Sequence, residues 1–363
     1  MRAVVLVGGF GTRLRPLTLT VPKNLVPVAG VPMIERVVRW LAAHGVDDVV
    51  LSLGYRPDAF LSAFPDGTIA GIPLRYVVEP EPLDTAGAVR FAAREAGIKE
   101  RFVATNGDVL TDIDLAAVIA RHEATGAEGT ITLTPVEDPS RFGVVPTDAD
   151  GRVTAFIEKP AAESAPTNLI NAGTYVLEPS VLDRIPGDGP VSIERVVFPA
   201  MVADGTLYAV ASDRYWLDVG LPDSYLQATA DLLDGTSRPG APAPGAVRRP
   251  EGGWVLGSPV VEGGATVDDR SLLCDAAIVA ADVTVAESVV GPASRVGSRA
   301  RLDGAVLLAG AIIGEGAVIE GSIVGPGAVV GAGAKITGCS VLGEGAVISA
   351  GDEVIGRRVP DAT

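Results

Sequence analysis

From Val261 to Val354 an aliphatic side chain returns at a near-constant interval: Val261, Val267, Leu273, Val279, Val285, Val290, Val296, Leu302, Leu308, Ile313, Ile319, Val324, Val330, Ile336, Leu342, Ile348 and Val354. The step is six residues thirteen times and five residues three times, with Gly and other small residues between. One inward aliphatic per hexapeptide is the mark of a parallel β-helix, in which stacked coils bury a continuous column. At three hexapeptides per coil these positions make between five and six coils. A disordered Gly-rich tail would not hold them in register.

The 363 residues exceed what one core usually fills, so two domains are expected. Upstream of the repeat, Gly235–Gly245 is too rich in Pro and Gly for regular structure, which sets a linker at 236–254 between a domain at 1–235 and the repeat at 255–363. In the first domain, strand-length apolar runs at Ala3–Val7, Asp48–Leu53, Leu74–Val78 and Phe102–Thr105 alternate with helical patterns at Pro32–His44, Thr85–Ala96 and Leu115–Ala124. That order predicts an α/β, Rossmann-like domain on a mostly parallel sheet, with its ligand crevice beyond the carboxyl ends of the strands. From Gly129 to Ala211 the pattern is richer in β, with strands expected at Thr130–Val136, Val153–Glu158 and Asn171–Leu177, and Pro222–Leu233 reads as a closing helix.

Directly after the first strand comes Gly8-Gly9-Phe10-Gly11-Thr12-Arg13-Leu14-Arg15-Pro16-Leu17-Thr18. Three glycines let the backbone approach a bulky anion and turn N–H groups toward phosphate oxygens. The P-loop pattern is excluded because no Gly-Lys-Ser/Thr follows, and the dinucleotide fingerprint because Leu14 stands where its third Gly belongs. Instead the loop carries Arg13 and Arg15, with Lys23 soon after. In a chain of net charge −16, which repels nucleic acid and anionic membranes, anionic substrates demand such a local knot of cations.

The run Gly8–Thr18 with Pro22-Lys23 resembles the signature of the sugar-nucleotide pyrophosphorylases, nucleotidyltransferases that join a sugar 1-phosphate to a nucleoside triphosphate. Four later segments resemble the family in the right order: Asn106-Gly107-Asp108-Val109, Phe156-Ile157-Glu158-Lys159-Pro160, Ile170-Asn171-Ala172-Gly173 and Tyr215-Trp216-Leu217-Asp218-Val219-Gly220. Ser192-Ile193-Glu194-Arg195 and Val197-Phe198-Pro199 are similar to segments of its bacterial mannose-1-phosphate guanylyltransferase branch. The resemblance implies that Gly8, Gly9, Gly11, Thr12, Arg13, Lys23, Glu79 and Gly87 bind nucleotide. It implies that Asp108 and Asp218 hold Mg²⁺, that Lys159 grips the sugar phosphate, and that Glu158, Asn171 and Gly173 line the sugar pocket. It also implies a left-handed sense for the β-helix.

The chemistry suits these residues. A phosphate nucleophile needs no general base, whereas charge growing on pyrophosphate needs cations and a metal ion, so Arg13, Lys23, Asp108 and Asp218 are the expected catalytic set. The two histidines, His44 and His122, fall in helical patterns near surface polar residues and are expected to take no part. Glu79, an acceptor-only carboxylate, suits the paired donors of guanine's Watson–Crick edge. The expected substrates are therefore GTP, or another NTP, and a sugar 1-phosphate, chiefly mannose 1-phosphate. Thymidylyl, uridylyl or adenylyl transfer to glucose 1-phosphate stays open, as does a regulatory subunit. Acyl transfer by the repeat is not expected, because residues 236–363 hold no histidine.

Two positions depart from the family pattern: Asn24 stands where Pro is more common, and Asp84 where Gly is usual. Asp84 would oppose phosphate binding unless it points away, or it would bond ribose. Two cysteines without metal-ligand spacing, no leader and no long apolar run lead to the expectation of a cytoplasmic protein that binds neither nucleic acid nor membrane. Exposed coil edges favour a homo-oligomer.

Overall fold

The computed structural model describes residues 1–54, 57–187, 189–237 and 242–361. Residues 238–241 of the expected linker lie outside that set. By packing, the chain divides into two compact units that are interleaved in sequence: Met1–Gly9 with Ile34–Trp216, and Phe10–Met33 with Leu217–Thr363.

The first unit is built on a ten-stranded mixed sheet. Its strands are β1 (Arg2–Leu6), β2 (Asp48–Leu53), β3 (Ile72–Val78), β4 (Phe102–Asn106), β5 (Gly129–Pro135), β6 (Gly143–Val144), β7 (Ile157–Glu158), β8 (Leu169–Leu177) and β9 (Leu207–Ala211), with a short edge strand Thr68–Ile69. The order is β7-β6-β8-β4-β1-β2-β3 and the edge strand, and β5 pairs both β8 and β9. The pairs β4/β1, β1/β2 and β2/β3 are parallel, as βα alternation requires; β8 runs antiparallel to β4 and to β5. Ala3, Val4, Val5, Val49, Val50 and Leu51 are wholly buried, as expected of strands covered on both faces.

The helices α1 (Met33–Ala43), α2 (Asp84–Glu95) and α3 (Leu115–Thr125) match the periodic segments to within two residues at either end. Asp114 caps α3 by accepting from Ala117 N at 3.1 Å, and Gly126, in the left-handed region, ends it. The expected strand Val153–Glu158 forms only at β7. Val153 makes an isolated bridge to Thr147, and Phe156 turns its ring into the core instead.

In the second unit, three parallel sheets of eight, six and six strands stack as a β-helix, consistent with the left-handed form; the first sheet alone carries an added antiparallel strand, Val247–Arg248. There are six full coils and the start of a seventh, rather than between five and six, because Val255 and Val359 extend the column at its two ends. The column also passes through Leu307, not Leu308: Leu307 is fully buried and pairs Val290 below and Val324 above. With that correction every five-residue step falls at the corner entering the first sheet. At this corner buried serines form a ladder, in which Ser271 Oγ accepts from Ser288 N at 3.1 Å, Ser288 Oγ from Ala305 N at 3.0 Å, and Ser322 Oγ from Ser340 N at 3.2 Å.

The outer faces of the sheets differ. On the first sheet the outward residues Leu272, Val289, Val306, Ile323 and Val341 are buried, whereas on the second Val260, Ile312 and Val347 are exposed. The segment Phe10–Met33 reaches the first sheet at Gly30, where an added Cβ would lie 3.3 Å from Leu272 Cδ2 and 3.4 Å from Cys274 Sγ, and at Pro16, beside Gly343. The helix α4 (Pro222–Leu233) holds the same segment through Tyr225 Oη, which donates to Pro27 O. Burial pushes the Cys274 thiol up to about 12, so it packs as a small hydrophobe.

Candidate functional site

In the first unit the expected residues collect at the carboxyl ends of the parallel strands. Gly8 follows β1, Gly54 follows β2, Glu79 follows β3 and Asp108 follows β4. A Cβ on Gly8 would stand 3.3 Å from Glu79 Oε1 and 3.6 Å from Gly54 N, so these three loops close on one another. Gly54, absent from the expected set, is needed there: its added Cβ would be 2.8 Å from Gly8 O.

Glu79 is buried, at 8% exposure, and both its oxygens are engaged: Oε1 accepts from Ser52 Oγ at 2.9 Å and Oε2 from Leu83 N at 3.2 Å. The carboxylate therefore staples the loop 79–83 to the end of β2. Each oxygen keeps a second acceptor direction. At the start of α2, Asp84 adopts φ 58°, a left-handed conformation that Gly takes freely and that Asp tolerates among L residues. Its Oδ1 accepts from Thr85 N at 2.7 Å. One carboxylate oxygen is thus engaged by the first turn of its own helix, and the side chain is exposed. Ala86 N and Gly87 N both donate to Val191 O, at 2.8 and 3.2 Å, and a Cβ on Gly87 would meet Gly189 O at 3.0 Å. Gly87 thus allows close packing against the 189–191 segment, and its amide is already used.

The residues expected to line the sugar pocket also come together. Asn171 Nδ2 donates to Tyr175 Oη at 2.9 Å, and Asn171 Oδ1 accepts from Gly173 N at 3.1 Å. Gly173 has φ 75° at a bulge in β8, and a Cβ there would lie 2.6 Å from Asn106 Nδ2 at the end of β4. Burial, reinforced by the charges of Glu194 and Glu158, pushes the Tyr175 phenol far above its ordinary range, so it stays protonated. Glu158 Oε1 lies 3.3 Å from Lys159 Nζ, and Lys159 is half exposed with φ 49°. Trp216 Nε1 donates to Ala172 O at 2.8 Å, and its indole meets the edge of Phe142 at 5.7 Å between centroids.

Glu194 accepts from Thr85 Oγ1 at 2.8 Å and from Ser192 Oγ at 2.7 Å, and Ile193 N donates to Thr85 Oγ1. These bonds tie the 192–197 segment to the start of α2. Sequence reasoning singled out neither Ser52, Thr85 nor Tyr175; a Ser or Thr at the end of a strand or start of a helix is the only local sign. His122, expected near the surface, is fully buried between Thr130 Oγ1 at 2.9 Å and Glu178 Oε1 at 3.2 Å. Burial, with the Arg101 charge, holds its imidazole below the usual value despite the bond it makes to the Glu178 carboxylate, and it serves the core.

In the second unit, Thr12–Leu14, Leu17–Leu19 and Lys23–Leu25 form three short 3-10 turns. Gly11 has φ 60°, and Thr18 Oγ1 donates to Gly11 O at 2.7 Å. A Cβ on Gly11 would meet Thr18 Cγ2 at 3.0 Å and Lys23 Cβ at 3.1 Å, so only Gly lets the loop fold back on itself. Leu14 and Leu17 are buried, which anchors the loop while Thr12 and Arg13 stay exposed. Asn24 is buried, at 4%. Lys23 Nζ lies 4.0 Å from Asp218 Oδ1.

Among the described residues no three His, Cys, Asp or Glu side chains gather as a ready-made metal cage. Single carboxylates fit a hard cation that takes one or two protein oxygens and fills its shell with phosphate and water. No described helix is long and apolar enough to cross a membrane.

Comparison with known proteins bears on the family and the fold. The Nucleotidyl transferase family profile matches residues 2–235, and the GMPPB C-terminal domain profile matches residues 260–359. The chain is 43% identical over 273 residues to the mannose-1-phosphate guanylyltransferase of Mycobacterium tuberculosis, covering 75% of this chain and 72% of that protein. It is 46% identical over 238 residues to the mannose-1-phosphate guanyltransferase of Schizosaccharomyces pombe, covering 64% of each. Among solved structures, HddC from Yersinia pseudotuberculosis superposes with a TM-score of 0.55 at 29% identity, over 63% of this chain and 97% of that one. HddC has also been crystallised in complex with GMP-PN. Nucleotidyltransferases of this kind generally use a divalent metal. On the family match and on the identity to the mycobacterial enzyme, the chain belongs to the nucleotidyl transferase family.

Proposed function

We propose that the protein is a mannose-1-phosphate guanylyltransferase, which makes GDP-mannose and pyrophosphate from GTP and mannose 1-phosphate. A phosphate oxygen of the sugar attacks Pα of GTP, a new P–O bond forms, and the bond from Pα to the bridging oxygen breaks to release pyrophosphate. Arg13 and Lys23 neutralise the polyphosphate as charge builds on the leaving group, with Gly8, Gly9, Gly11 and Thr12 shaping the loop around it. Lys159 holds the sugar phosphate, while Glu158, Asn171 and the Gly173 bulge face the hexose. Asp108 and Asp218 would hold Mg²⁺, which supplies charge neutralisation at the phosphates when bound. Residues 1–235 carry this activity, 255–363 form the helix, and 236–254 link them, with Val247–Arg248 already pairing with the first sheet.

The single observation that carries the reading is the 43% identity to the mycobacterial guanylyltransferase across 72% of its length. It is supported by the presence of every cation and carboxylate the reaction calls for. Pyrophosphate release across GTP, ATP, UTP and dTTP, each with mannose and glucose 1-phosphates, tests it. Activity confined to a pair other than GTP and mannose 1-phosphate would replace this assignment.

A further inference from the structure

Gly343 follows the Val341–Leu342 strand of the β-helix, and an added Cβ would lie 2.9 Å from Pro16 Cβ and 3.1 Å from Pro16 Cγ. Pro16 belongs to the glycine-rich loop, three residues after Arg13. The same corner in other coils holds Leu256, Cys274 and Leu308, so the coil accepts a side chain at this place. Gly291 and Gly325 are fixed differently, for a Cβ on either would strike a carbonyl oxygen of the next coil, Leu307 or Leu342. Near the end of the stack a Cβ at Gly343 would meet Pro16 first, and Pro360 Cδ of the next coil only at 3.4 Å, an ordinary contact distance. The Gly343 backbone is not left-handed, which leaves room for the loop as the reason for a glycine.

We propose that Gly343 is a positioning residue for nucleotide binding: it provides the seat for Pro16, and through Pro16 the β-helix sets where Arg13 stands. This rests on the reading that Arg13 binds the polyphosphate. Arg13 is exposed, so its placement comes from the loop, whose anchors are the buried Leu14 and Leu17 and the Pro16 seat. The buried outer face of the first sheet is then part of the substrate-binding machinery in effect, although it touches no substrate. Forcing Pro16 off its seat moves the guanidinium by a fraction of an ångström, and a 1 Å misplacement can cost ~10²-fold.

Full-length Gly343→Ala is compared with Gly263→Ala, a β-helix glycine whose added Cβ meets nothing within 4 Å. GTP binding is read by calorimetry without sugar phosphate, alongside KM for each substrate and Tm. The expected result is a GTP Kd and KM raised roughly three- to tenfold, with KM for mannose 1-phosphate and Tm close to wild type and Gly263→Ala unchanged. Wild-type GTP affinity in Gly343→Ala overturns the proposal, as does an equal rise in both KM values with a fall in Tm. Should that variant not fold, Pro16→Ala trims the same contact from the loop side, and unchanged GTP affinity there is equally fatal. Arg13→Ala, run in parallel, separates the two readings: normal GTP binding in it removes the role of the loop cation, whereas weakened binding in Arg13→Ala alone leaves that role standing and removes Gly343.

Discussion

Lys23 Nζ stands 4.0 Å from Asp218 Oδ1, with the lysine side chain 14% exposed and the aspartate 36%. The carboxylate proposed to hold a metal ion thus keeps a cation beside it. Such a pair, partly open to solvent, adds only ~0–1 kcal/mol to stability. Lys23→Met should therefore leave Tm within a few degrees of wild type while pyrophosphate release falls ~10²-fold or more, the usual loss for one transition-state charge contact. A large fall in Tm with little change in turnover would make the pair structural.

Glu79 offers a test of base choice. In Glu79→Gln the amide oxygen can still accept from Leu83 N while the amide nitrogen donates to Ser52 Oγ, a hydroxyl that accepts as well as donates, so the loop keeps both ties while one acceptor is replaced by a donor. If the carboxylate also reads guanine, kcat/KM for GTP drops more than that for UTP, and selectivity narrows. An equal fall for all nucleotides would confine Glu79 to holding its loop.

Gly173→Ala puts an L side chain at φ 75° and a Cβ 2.6 Å from Asn106 Nδ2. The backbone alone costs ~1–2 kcal/mol, and Asn106 must move. Denaturant unfolding should show that loss, and KM for mannose 1-phosphate should rise more than KM for GTP because the bulge carries Asn171. An unchanged KM for the sugar phosphate would sever the bulge from the sugar site.

Acid sensitivity should begin with His122. Its pKa in the folded protein lies below the ordinary 6.5, so the unfolded chain binds that proton first as pH falls. The stability it contributes is complete above about pH 6.5 and is lost as pH drops from there toward the folded value. Glu178, whose pKa is also lowered, adds a further loss below its ordinary 4.5. Thermal unfolding from about pH 7.5 to 5 should show Tm declining below 6.5 in wild type and a flatter profile in His122→Gln. Parallel profiles would acquit the imidazole.

What the sequence disclosed was local. The periodic segments gave α1, α2 and α3 to within two residues, and β2 without error, because apolar spacing follows the face each element buries. The column of the β-helix was legible for the same reason, yet Leu307 and Leu308 are both aliphatic and adjacent, so spacing alone could not choose between them. Contacts between distant segments were not legible. Nothing near Glu79 announces Ser52, nothing near Gly173 announces Asn106, and nothing near Pro16 announces Gly343. His122 sits in a helix beside polar neighbours, and only β5 and Glu178 closing over it reveal that it is interior.

The variable corner before the first sheet bears on how this half of the molecule can change over time. Five residues suffice between Val285 and Val290 and six are used between Ile336 and Leu342, while both aliphatics remain in the same column. A single-codon gain or loss is absorbed there without shifting any other rung. Lineages should therefore differ in length at these sites and hold constant elsewhere, so alignments of the repeat are best anchored on its aliphatics.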